Sequence, residues 1–131
     1  MSFRTAIGAA ALLASVVAAP SHAADKPDAP KPAQQCFWTQ QINGFAAADE
    51  KIVNVRVGVR DVYQFEMFGR CDDVDWANRI AVRSRGGSHI CEGIDAEIIS
   101  PTTLGPRRCP VKTVRKLTPA EVAALPKRSR P

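Results

Sequence analysis

The stretch Ile52-Val53-Asn54-Val55-Arg56-Val57-Gly58-Val59-Arg60 decides the fold class. It alternates, with Val53, Val55, Val57 and Val59 on one side and Asn54, Arg56 and Arg60 on the other. Successive side chains of a strand point to opposite faces, so this period of two makes a half-buried β-strand. A turn around Asp61 follows, and then Tyr63, Phe65 and Met67 alternate with Gln64 and Glu66. That is a second strand and predicts an antiparallel hairpin whose apolar faces form half of a core.

Working outward from the hairpin, Ile80 to Arg85 reads as a strand with Ile80 and Val82 inward. Gly86-Gly87 offers a tight hairpin turn, and Ser88 to Glu92 is expected to return along it. Ile94, Ala96 and Ile98 alternate with Asp95 and Glu97; Pro101 to Pro106 reads as a loop, and Cys109 to Leu117 closes the sheet. Between the hairpin and these later strands, Cys71 to Ile80 predicts a short helix, with Asp72 as cap, Asp73 and Asp75 in the first turn, and Trp76 and Ile80 on its buried side. Thr118-Pro119-Ala120-Glu121 is a capping box with Pro at the first helical position, opening a short C-terminal helix that Pro126 ends. The expected fold is mainly β: a small antiparallel, barrel-like sheet of about six strands with one short internal helix and a short C-terminal helix.

Composition agrees. The 131 residues suit one small domain with appendages. From residue 24 onward Val and Ile number 17 against three Leu, a β-branched bias that favours strands.

The front of the chain reads as an address. Met1-Ser2-Phe3-Arg4 is a short charged start, Ala6 to Ala19 is apolar but for Gly8 and Ser15, and Ser21-His22-Ala23 fits the small-x-small rule for cleavage between Ala23 and Ala24. The apolar run is shorter than the ~20 residues that span a bilayer, so residues 1–23 are expected to be a signal peptide and the mature form to carry no transmembrane segment. Residues 24–35, with three prolines and no large apolar side chain, form a linker. The stapled β domain is expected at 36–117, and a short helix with a basic tail at 118–131. The destination is the periplasm or the exterior.

Four cysteines without a CxxC pair, in an exported chain, read as two disulfides. Zinc ligands need closer spacing, and His89 is the only histidine after the leader. Of three pairings, a nested topology favours Cys36–Cys109 and Cys71–Cys91, because the first pair flanks the strand-rich block and the second flanks an excursion within it.

Charge is unevenly spread. Residues 107–131 carry eight basic residues (Arg107, Arg108, Lys112, Arg115, Lys116, Lys127, Arg128 and Arg130) and one acid, Glu121, whereas residues 24–106 carry nine basic and twelve acidic residues. In the envelope such a basic end is a candidate contact for anionic components, alongside its plainer role as a solvated surface. No aromatic residue is interleaved with it, so nucleic acid is not an expected partner.

No catalytic set assembles in the sequence. His89 could serve a small hydrolase with Ser84 or Ser88, but no nucleophile elbow or other motif places them together. Asp72-Asp73-x-Asp75 opens like a calcium loop, yet Trp76 and Ala77 stand where oxygen ligands are needed. No cofactor or metal is expected. Phe37-Trp38 beside Cys36 reads as core packing.

Cys36-Phe37-Trp38, Ile42-Asn43-Gly44-Phe45, Val62-Tyr63, Ala77-Asn78-Arg79-Ile80-Ala81, Gly86-Gly87-Ser88-His89-Ile90-Cys91 and Cys109-Pro110-Val111 together resemble a family of small exported proteobacterial proteins with four cysteines, a domain of unknown function. The resemblance covers roughly residues 36–117 and implies a periplasmic, disulfide-bearing domain without assigned catalytic residues. Some members of that family are lipoproteins; this chain has no cysteine just after its apolar run. The expected function is a non-catalytic binding or envelope-associated domain; the alternatives are an inhibitor or accessory subunit of a periplasmic hydrolase, and a small hydrolase using His89.

Overall fold

The alternating stretches become eight strands and one α-helix in the computed structural model, which describes residues 35–131. The strands are β1 (Phe37–Trp38), β2 (Ile42–Ala47), β3 (Ile52–Val57), β4 (Asp61–Met67), β5 (Ala81–Ser84), β6 (His89–Ile90), β7 (Ala96–Thr102) and β8 (Gly105–Lys116); α1 is Pro119–Ala124. The expected signal peptide, its expected cleavage site and nearly all of the expected linker lie outside the described residues. No helix among the described residues is long and apolar enough to cross a membrane.

Six strands form one antiparallel sheet in the order β2-β3-β4-β8-β7-β5, curled into a half-barrel. The long β8 holds the centre, bonding β4 along its second half and β7 along its first. Val53, Val55 and Val57 of β3 face inward as the alternation requires, with Tyr63, Phe65 and Met67 of β4, Ala96 and Ile98 of β7 and Val111 of β8. Burying such a side chain stabilises by about 1.5–3 kcal/mol, so this face holds most of the favourable term. Val59 does not join them. Gly58, at φ 61°, turns the chain out of β3, and Val59 is left exposed in the turn.

β1 and β6 make a separate two-stranded ribbon that closes over the core: the Phe37 ring lies 4.4 Å from that of Tyr63 and 6.3 Å from that of Phe65. Phe37 and Ile90 are buried, while Trp38 keeps 46% of its surface exposed. This ribbon corrects two expectations. Ser88 to Glu92 does not return along β5, since β6 pairs with β1 and β5 pairs with β7. The disulfides are Cys36–Cys91 and Cys71–Cys109, not Cys36–Cys109 and Cys71–Cys91. The register Phe37↔Ile90 and Trp38↔His89 places Cys36 opposite Cys91 one step further along, while β8 lies mid-sheet and brings Cys109 to the segment leaving β4. Closures of 55 and 38 residues stabilise by about 4 kcal/mol each on the chain-entropy model.

The expected internal helix is also corrected. Residues 72–76 form turns, Asp73 sits at φ 62°, and Trp76 is 83% exposed. Cys71 and Val74, not Trp76 and Ile80, carry this segment's full burial; Ile80 is half-buried. The expected loop at Pro101 to Pro106 is instead the tip of a tight hairpin, with Thr102 paired to Gly105 and the Thr102 hydroxyl donating to the Gly105 carbonyl at 2.7 Å. Ile94, expected inward, lies exposed in a short 3-10 turn at Gly93–Asp95. The C-terminal capping box forms as read: the Glu121 N–H donates to the Thr118 hydroxyl, and the Thr118 N–H donates to the Glu121 carboxylate at 2.7 Å.

After α1 the chain folds back over the outer face of β2 and β3. Asn54, an outward residue, is completely buried there and donates through Nδ2 to the Ser129 carbonyl at 2.7 Å. Arg128 donates to the Ala48 carbonyl at 3.1 Å.

Candidate binding groove

The half-barrel is not closed, because β2 and β5, the two ends of the strand order, do not pair with each other. Between them lies a groove of about 460 Å³, lined on one side by Thr39, Ile42, Asn43, Gly44 and Phe45 and on the other by Asn78, Arg79, Ile80, Ala81 and Val82. Its size falls in the lower half of the range of small-molecule and cofactor sites. Ile42, Phe45, Ile80 and Val82 pack against the core yet remain only partly buried, which gives the groove an apolar floor. Thr39, Asn43, Asn78 and Arg79 supply polar groups. Asn43 is already held, donating to the Gly58 carbonyl at 2.6 Å. Arg79 is exposed and makes no ion pair or hydrogen bond with the described residues.

A second recess of about 350 Å³ lies at one end of the sheet, beside Cys36, Gln41, Arg60, Asp61 and Tyr63. Lys116 reaches across from β8 to pair with Asp61 at 2.8 Å. That hydrogen bond holds the Lys116 ammonium above its ordinary value, and burial pushes the Tyr63 phenol up against the opposing pull of Lys116.

The residues singled out in the sequence fall elsewhere. His89 is exposed on the ribbon, its ring centroid 3.3 Å from that of Trp38. The Ser84 hydroxyl donates to the His89 main-chain carbonyl at 2.6 Å, so it is committed to the backbone and not to the imidazole. Asp72 pairs with Arg107 at 2.5 Å, and no cluster of three or more His, Cys, Asp or Glu able to share an ion occurs among the described residues. The basic residues of the C-terminal quarter are dispersed among partners. Arg107, Arg108, Lys112, Arg115 and Lys116 pair with Asp72, Glu97, Glu66, Glu121 and Asp61 respectively, and Arg128 and Arg130 donate to main-chain carbonyls. Lys127 makes none of these contacts. Four of these cations meet acids from outside the C-terminal quarter, three of them on the flanking strands β4 and β7, and an external anion would have to compete with these pairs.

The two groove segments, Ile42-Asn43-Gly44-Phe45 and Ala77-Asn78-Arg79-Ile80-Ala81, belong to the motifs on which the resemblance rests. The chain belongs to a family of unknown function, DUF6491, matched over residues 1–131. The match to DUF6491 extends beyond residues 36–117 to both ends of the chain. Neither the comparison with curated proteins nor that with solved structures finds a match. Within this family domain, sequence reasoning overlooked the groove because its two walls are over thirty residues apart and meet only through the curl of the sheet.

Proposed function

We propose that this chain is an exported, non-catalytic binding domain of the cell envelope, with the groove between β2 and β5 as its recognition site. The observation that carries the reading is the groove's composition: four partly buried apolar side chains together with Arg79, which pairs with none of the described residues. Such a surface retains apolar area that a ligand would remove from water, together with one charge to orient it. The export part rests on the leader-like residues 1–23 and on two disulfides, which persist in oxidising compartments. An accessory or inhibitory role toward a periplasmic hydrolase is one form this binding could take.

Site-specific photo-crosslinking in cells tests it. A photoreactive side chain at Asn43 should capture another molecule in the periplasmic fraction, and the same group at Arg115, on the opposite face of the sheet, should not. Equal capture at both positions, or none at Asn43, overturns the groove as the recognition site. Recovery of a chain still carrying Met1 from the cytoplasm alone overturns export.

A further inference from the structure

We propose that the occupant of the groove is an extended peptide segment bearing a carboxylate, bound as an added strand along β5; this rests on the groove being the recognition site. The hydrogen-bond register of the sheet supplies the argument. Main-chain groups along an antiparallel pair alternate between facing the partner and facing away. The Arg85 N–H donates to the Asp95 carbonyl at 2.8 Å, so Arg83 and Ala81 also face β7, across from Glu97 and Ile99. Val82 and Ser84 therefore present their N–H and C=O groups away from β7, at the free edge. On the far wall, the Ala48 N–H donates to the Ile52 carbonyl at 2.8 Å, so Ala46 and Gly44 face β3, and Phe45 and Ala47 turn their main-chain groups outward.

Val82 and Phe45 both line the groove. Each wall of the same recess thus offers a donor and an acceptor already in strand geometry, above an apolar floor. The two edges run in opposite directions, since five successive antiparallel pairings separate them. A single inserted strand is then antiparallel to one edge and parallel to the other, and the better geometry goes to the edge it joins antiparallel. Arg79 lies three residues before Val82, beside the start of β5. Its guanidinium, without a partner among the described residues, selects a carboxylate, from an acidic side chain or a chain terminus, because Arg and carboxylate match in a two-bond fork. Main-chain pairing supplies affinity and the side-chain contacts supply choice, as in strand addition generally.

The test selects a phage-displayed library of random linear peptides against the disulfide-bonded protein. The peptides enriched should alternate apolar and polar residues and share an Asp or Glu at a fixed position. Val82→Pro removes an outward N–H without touching the bonds to β7, a substitution that an edge strand tolerates. It should weaken the selected peptides about tenfold, as the loss of one desolvated hydrogen bond does, whereas Val82→Thr keeps the N–H and should stay within about twofold. Retained amide protection at Val55 and Phe65 verifies that the variant is folded. Arg79→Gln should abolish the preference for the acidic peptide over its Gln counterpart, and comparing free and amidated termini identifies which carboxylate is read. No enriched peptide, or equal binding to Val82→Pro, would overturn strand addition; a wild-type dimer that Val82→Pro dissociates would overturn the peptide as the occupant of that edge. Should crosslinks from Asn43 form at undiminished yield in Val82→Pro, strand addition fails while the groove reading stands; absent crosslinks from Asn43 in the wild type remove both.

Discussion

The half-barrel has two wings of three strands, and they are held by different means. In the first, β2-β3-β4, strands follow one another in sequence and are joined by short turns, so every pairing is local. Its inner face carries Val53, Val55, Val57 and Phe65, and part of its outer face is sealed by the C-terminal segment over Asn54. In the second, β8-β7-β5, the chain leaves the sheet between β4 and β5 and again between β5 and β7. That wing relies on the Cys71–Cys109 bridge, on a 3-10 turn pressed against β8, and on an outer face of ion pairs in which Glu97 meets both Arg85 and Arg108. Exposed ion pairs are each worth about 0–1 kcal/mol, so the covalent link and the close backbone contact carry more of the load there. Local alternation suffices for one wing; the other needs a staple.

The sharpest way to break this contrast is Gly93→Ala. Gly93 is buried in the 3-10 turn, and a Cβ built there would overlap the Lys112 carbonyl and the Thr113 amide of β8, all backbone atoms that cannot rotate away. The expected loss is about 3 kcal/mol, at the upper end of overpacking effects. Urea unfolding measures it, and hydrogen exchange should show Ala96 and Ile98 losing protection before Val53 and Val55. Uniform loss across both wings would mean that they do not differ in how they are held.

Asn54→Ala tests the first wing and should cost about 2 kcal/mol, since it leaves the Ser129 carbonyl buried without its donor and removes a partner of Gln64 Nε2. Limited proteolysis should then cut within residues 118–131 while β3 and β4 stay intact. A loss below about 0.5 kcal/mol would show that the C-terminal segment contributes no cover.

The same contrast explains what could be read from the sequence. The first wing was legible because alternation at Val53 to Val57 and Tyr63 to Met67 is a local signal, and the Thr118 to Glu121 box is a local hydrogen-bond pattern. The segment after Cys71 misled because Asp72, Asp73 and Asp75 favour a helix start equally well as a turn, and a bridge to Cys109 that no local signal specifies selected the turn. The cysteine pairing depended on a ribbon of two residues per strand, too short to show a period. The groove was illegible for a related reason. Asn43 and Arg79 have no special local pattern, and their juxtaposition follows from a strand order that places β8 between β4 and β7.

The smallest expected effect lies at the joint between the wings, where β4 meets β8, and it is read through pH. Tyr63 and Lys116 face each other in that ladder. Burial raises the Tyr63 phenol above 10.0, and the hydrogen bond to Asp61 raises Lys116 above 10.5. A group that holds its proton more tightly when folded contributes stability that is fully present below its unfolded value and is lost as pH rises through the folded one. Both groups therefore predict a fall in the urea midpoint above pH 10.0, with no change contributed by either near neutrality. Tyr63 is the only tyrosine, so phenolate absorbance titrates it without interference and should give a midpoint above that of the urea-unfolded chain. Tyr63→Phe should keep the Lys116 part of the alkaline fall and remove the rest. Glu121 shifts the opposite way, lowered first by the Thr118 N–H and then by Arg115, so its contribution is present above the ordinary carboxylate value of 4.5 and disappears as pH falls through the lowered one. Alkaline loss should accordingly loosen the β4–β8 joint, whereas acid loss should fray α1, and exchange at Gln64, whose main chain faces β8, against exchange at Val122 separates the two.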